Sequence, residues 1–145
     1  MYDSTIYILL KYKFNLILGN CSDSCSNRIH VDTFDHTKRR FAGDYYLVTE
    51  EDAVKSNWSS HLTNGRDTYR SVENPKKCIY WHSLRHWWVG NCDTRGVNKG
   101  EAYLQSDKTC PYDGAAKEWK RGGSDQVLDK FQVTEGTGKS LENFE

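Results

Sequence analysis

Cys78-Ile79-Tyr80-Trp81-His82-Ser83-Leu84-Arg85-His86-Trp87-Trp88-Val89-Gly90 is the stretch on which the fold assignment turns. Its two arms are dense in aromatic and β-branched side chains, which fit a pleated, half-buried surface. Only Ser83-Leu84-Arg85 separates them, so residues 78–90 are predicted to form a β-hairpin that turns there. A helix would instead set Cys78, His82 and His86 on one face, but the β-forming content argues against it. Neighbours on a strand point to opposite faces. One ring of Tyr80-Trp81 and one of Trp87-Trp88 is therefore expected in the core and the other in solvent. Exposed rings on a sheet face give a platform on which sugars or proteins stack, which makes Tyr80, Trp81, Trp87 and Trp88 the candidate ligand-binding residues. The alternative is that a further layer covers them and they are structural.

Around this hairpin, short aromatic or β-branched runs alternate with turn chemistry from Gly43 onward. Residues 44–49 read as a strand and residues 49–56 as a short helical turn, in which Thr49 and Asp52 can form a capping box. Asn64-Gly65 marks a tight turn. Residues 66–72, 101–105, 117–120 and 126–133 are further strand candidates. With no long amphipathic helix, the expected class is all-β: a small antiparallel sheet, sandwich or barrel with disulfide support and an irregular N-terminal segment. Residues 43–134 form the predicted β module and residues 135–145 a polar tail.

Residues 1–42 read as an N-terminal strand or atypical signal segment followed by a linker. Ile6 to Leu10 and Phe14 to Leu18 are apolar, but Lys11 and Lys13 interrupt them, and Lys11 to Leu16 alternates as an amphipathic strand would. This stretch is too short and too charged to span a membrane. Residues 19–42 are polar and irregular. Within them Lys38-Arg39-Arg40 reads as a solvated charge run, with a processing site as the alternative.

The chain has 145 residues, with 20 Lys and Arg balancing 20 Asp and Glu. A net charge of zero supplies no global field for nucleic acid or an anionic membrane, so neither is an expected partner. Cysteines at 21, 25, 78, 92 and 110 lack the paired Cys-x-x-Cys spacing of a zinc ribbon and read as disulfide cysteines. Cys92 and Cys110 bracket residues 93–109 and are expected to bond to each other. The triplets Asn20-Cys21-Ser22 and Asn57-Trp58-Ser59 make Asn20 and Asn57 candidate glycosylation sites and agree with a secreted, extracellular protein.

Three constellations invite a chemical reading. Cys78, His82, His86 and Cys92 are all potential zinc ligands, yet a hairpin spreads them along two strands. A Cys–His nucleophile pair lacks any local protease signature. Asp93, Asn98 and Glu101 do not follow calcium-loop spacing and have Arg95 and Lys99 among them. No catalytic residue, metal or cofactor is therefore expected.

Tyr45-Tyr46, Asn64-Gly65-Arg66 with Tyr69, Ile79-Tyr80-Trp81, Trp87-Trp88-Val89-Gly90, Ala102-Tyr103, Cys110-Pro111 and Trp119 follow one another in an order that resembles a small aromatic and glycine-rich extracellular β module of secreted invertebrate and other eukaryotic proteins. The resemblance covers roughly two-thirds of the chain, with a specific order of common residue types. It implies a compact module whose aromatic landmarks are mostly structural and which carries no catalytic residues. His82 and His86 stand outside the shared pattern. The expectation is a non-catalytic secreted module that binds a carbohydrate, an extracellular matrix component or a protein ligand. The alternatives are a zinc- or cysteine-dependent hydrolase using His82 and His86, and a purely structural matrix module.

Overall fold

The computed structural model describes residues 25–113 and 118–136; the apolar N-terminal stretch, Asn20, Cys21 and most of the polar tail lie outside them. In chain order the elements are β1 (Arg28–Asp32), β2 (Gly43–Leu47), α1 (Glu50–Lys55), β3 (Leu62–Thr63), β4 (Arg66–Asp67), β5 (Tyr69–Ser71), β6 (Lys77–His82), β7 (His86–Asn91), β8 (Ala102–Gln105), β9 (Lys120–Arg121) and β10 (Gln132–Glu135). Eight strands join one antiparallel sheet in the order β10-β1-β2-β5-β6-β7-β8-β9, and β3 pairs with β4 apart from it. The large sheet curls into a half-barrel, so the all-β expectation holds and resolves to a single curled sheet.

The predicted hairpin sits at its centre. Cys78 faces Gly90, Tyr80 faces Trp88, Trp81 faces Trp87 and His82 faces His86. The chain reverses through Arg85, which takes a φ of 68°. At the second predicted turn Asn64 and Gly65 have φ of 51° and 81°, the pair of positive values that a tight hairpin requires. The helix starts as its sequence dictates: Thr49 Oγ1 accepts from the Asp52 amide at 3.1 Å and Asp52 Oδ2 accepts from the Thr49 amide at 3.1 Å.

Several expectations change. The supposed linker contains β1, whose strict alternation of Arg28, Ile29, His30, Val31 and Asp32 buries Ile29 and Val31. β1 lies between β2 and β10, so the folded unit extends well before residue 43. Lys38 is not solvated either; it is 6 % exposed and its Nζ lies 2.7 Å from Glu101 Oε2, with Arg40 on the other carboxylate oxygen at 3.0 Å. The strand expected over 66–72 breaks at Thr68, whose buried hydroxyl lies 2.6 Å from that of Thr63. The one expected over 126–133 begins only at Gln132, because Lys130 takes a φ of 51° and ends any extended run. Leu128 and Phe131 are buried there without belonging to a strand.

Cys92 and Cys110 do not bond to each other. The disulfides are Cys25–Cys110 and Cys78–Cys92. The correction has a topological cause. Cys78 pairs with Gly90, and the 3-10 turn Cys92–Thr94 folds back over that strand end, which brings Cys92 to Cys78. Cys110 sits instead with the core of Ile29, Val31 and Trp119, where Cys25 leads into β1.

Candidate functional site

Strand alternation sorts the central rings. Trp81 and Trp87 point to the inner, concave face, with centroids 5.5 Å apart, while Tyr80 and Trp88 pack with Cys78 and Cys92 on the outer face. None of the four is open to solvent: Tyr80 and Trp87 are 0 % exposed and Trp81 and Trp88 are 5 % exposed. The expected platform of Tyr80, Trp81, Trp87 and Trp88 is therefore not present, because both faces are covered. Over Trp81 lie the Arg66 guanidinium, 3.6 Å from the ring centroid, and Asn64, which donates to the Trp81 carbonyl at 2.9 Å. On the outside, residues 92–100 fold down. The Tyr80 hydroxyl meets Thr94 Oγ1 at 2.7 Å and donates to the Lys99 carbonyl, and Trp88 Nε1 donates to Asn98 Oδ1 at 3.0 Å. Gly100 permits this approach, since a Cβ there would lie 2.7 Å from Trp88 Cε3 and 3.1 Å from the Val89 carbonyl.

Two groups of side chains on the outer face stay half-exposed. The first is built across β7 and β8. Trp88 pairs with Tyr103 and His86 with Gln105, so these side chains share a face. The Tyr103 ring lies 5.0 Å from Trp88 and 5.1 Å from His86, centroid to centroid. Asn98 Oδ1, which receives Trp88 Nε1, also lies 3.1 Å from His86 Nδ1. Tyr103 is held at its far end, donating to the Ser124 carbonyl at 3.0 Å. Its phenol is pushed above the usual range by burial and then by Asp125, so it remains a hydroxyl at neutral pH. Lys120 lies opposite Tyr103 in the register and Gln105 is exposed.

The second group combines β5, the 3-10 turn and the loop after α1. Arg70 on β5 lies between Tyr46 and Cys78 in register. Cys78 is tied to Cys92, and Arg95 follows the 3-10 turn that Cys92 begins. Both guanidiniums converge on Trp58: the Arg70 carbon is 4.2 Å and the Arg95 carbon 3.6 Å from the ring centroid. Burial, followed by the charge of Arg70, lowers the Arg95 pKa from its ordinary value. Sequence reasoning treated Trp58 only as the middle of an acceptor triplet and assigned Arg70 and Arg95 no role in binding. They are distant in the chain and follow no periodicity, so only the register and the disulfide bring them together. Asn57 itself is exposed, at a φ of 58° just beyond the helix.

His82 and His86 face each other across the hairpin end, but Cys78 and Cys92 are bonded to each other and offer no thiolate. Among the described residues no three His, Cys, Asp or Glu side chains converge as a metal site would require. Glu101 is held by Lys38 and Arg40, and Asn98 by Trp88 and His86, so the polar side chains of the 93–101 loop brace the fold. No described helix is long and apolar enough to cross a membrane. No family model, curated protein or solved structure matches the chain.

Proposed function

We propose that the chain is a non-catalytic secreted module that binds a carbohydrate of the extracellular matrix on its outer sheet face, with His86 and Tyr103 as the contact rings. The observation that carries this reading is the half-exposed Tyr103 ring, braced against Trp88 and His86 and anchored through its hydroxyl. A ring held in this way offers contact area with little rotamer freedom left to lose on binding. Gln105 and Lys120 on the same face supply hydrogen-bond partners for sugar hydroxyls. Two disulfides suit an oxidising compartment. The aromatic binding surface thus moves from the four central rings to their neighbours, and Tyr80, Trp81, Trp87 and Trp88 take the structural role that their burial supports.

A glycan array probed with the oxidised protein, followed by titration calorimetry, tests this. Tyr103→Ala is expected to weaken binding of the selected neutral glycan about tenfold, the loss of one stacking contact, and because the ring also covers Trp88 the affinities are compared well below the variant's own unfolding midpoint. An unchanged affinity in Tyr103→Ala, or no glycan captured at all, would remove the reading.

A further inference from the structure

We propose that Arg70, Arg95 and Trp58 form a site for a sulfate ester carried on a glycan. It goes beyond the aromatic surface just described, using different residues, and rests on that reading for the extracellular setting and the carbohydrate class of ligand.

The argument begins with unused hydrogen-bonding capacity. A guanidinium has five N–H donors. Among the described residues Arg70 makes one side-chain hydrogen bond, from Nη1 to Ser56 Oγ at 2.8 Å, and Arg95 one long contact, from Nη1 to the Cys92 carbonyl at 3.5 Å. Neither has a carboxylate within ion-pair distance among the described residues. The acidic groups that act on them are accounted for: Asp52 is engaged in the cap of α1 with Thr49, and Asp93 exerts an electrostatic pull on Arg95 without pairing. Two like charges thus share one indole on a protein whose cations and acids balance overall.

The repulsion between the two guanidiniums, set against their attraction to the indole, would be relieved by a bound anion, and the arrangement is already rigid. Arg70 is fixed by its strand, Arg95 by a turn that the Cys78–Cys92 bond ties to the adjacent strand, and both by stacking on Trp58. Guanidinium forks match the oxygens of tetrahedral oxyanions bidentately, and the fixed geometry lowers the entropy cost of binding. In the extracellular setting proposed above, the sulfate ester of a glycan is the oxyanion that also brings a sugar to lie against the half-buried Trp58 ring.

The test is calorimetry on the intact oxidised protein with a sulfated oligosaccharide, the same oligosaccharide desulfated, inorganic sulfate and inorganic phosphate. The sulfated form is expected to bind at least about tenfold more tightly than the desulfated one, as the loss of charge-assisted hydrogen bonds would give, and to weaken with added salt. Arg70→Gln and Arg95→Gln, each checked for an unchanged unfolding midpoint, should each remove about tenfold of that affinity, with Tyr103→Ala leaving the preference for sulfate intact. Equal affinity for the sulfated and desulfated sugars, retention of the preference in the double arginine variant, or tighter binding of phosphate than of sulfate would overturn the proposal. No preference for the sulfated sugar in the parent protein, with Tyr103-dependent binding of neutral glycan retained, sinks this site alone. The converse sinks only the aromatic surface. Asn57→Gln, which removes the acceptor beside Trp58, should bind the sulfated sugar at least as well as the parent; a loss of binding there would mean that an attached glycan and not the arginines makes the contact.

Discussion

The two faces of the β6–β7 hairpin bury equally large rings by different means. On the inner face Trp87 lies among residues drawn from across the curled sheet, and its Nε1 donates to the Lys108 carbonyl at 3.0 Å. On the outer face Trp88 is covered by the 92–100 loop and by Tyr103, with no second sheet above it among the described residues. Alternation along a strand tells which way a side chain points. Whether that direction leads to water depends on what other segments fold back, which is a property of the whole topology.

The strongest test of this contrast is a pair of truncations. Trp87→Ala is expected to cost about 3–5 kcal/mol, since the closed inner core cannot collapse into the space left. Trp88→Ala should fall at the lower end, about 3 kcal/mol, because a loop can settle inward where a sheet cannot. Urea unfolding of both variants measures the difference, and an outer ring costlier than the inner one would reverse the comparison. Next in size is Gly100→Ala. Its Cβ would press on the buried Trp88 ring and on backbone, an overpacking worth about 1–3 kcal/mol, and near-ultraviolet circular dichroism should report a disturbed indole.

The smallest expected effect comes from acid, which leaves apolar packing alone and acts on the ion pairs. Burial works against the charge of Asp44, but hydrogen bonds from Arg28 at 2.6 Å and His30 at 2.9 Å outweigh it and hold the carboxyl below its ordinary range. Burial likewise opposes Glu101, and Lys38 and then Arg40 hold it low. A depressed folded pKa means that the unfolded chain takes up its proton first as pH falls. These groups therefore stabilise the fold above the unfolded carboxylate value and lose that contribution as pH drops through the folded one. The urea midpoint should be flat from about pH 7 to 5 and fall below about pH 4, with Asp44→Asn reducing the slope. An unchanged slope would mean that the pair with Arg28 adds nothing.

Local chemistry made much of the fold readable. The hairpin, the Asn64-Gly65 turn and the Thr49–Asp52 capping box each depend on residues a few positions apart. β1 carried a signal too, in the alternation of residues 28–32, but it is short and without aromatics and sits among polar neighbours. The disulfides were not readable, because pairing depends on where Cys92 and Cys110 stand relative to opposite faces of the sheet. The arginine pair on Trp58 was hidden for the same reason: its members share no spacing and meet only through register and cross-link.

The place of β1 between β2 and β10 also imposes an order in time. Contacts within β5–β8 are local and close early, whereas β10 must travel from the far end of the described chain to reach its single neighbour, a loop closure that slows folding. A chain emerging from the ribosome exposes Cys78 and Cys92 before Cys110. The nearby pair, 14 residues apart, can therefore oxidise while Cys25 has yet to meet its partner 85 residues away. The outer loop can thus be stapled before Cys25 and Cys110 meet, and the pairing of β10 with β1, which sets Val133 beside Val31, is the sheet contact that spans the longest stretch of chain.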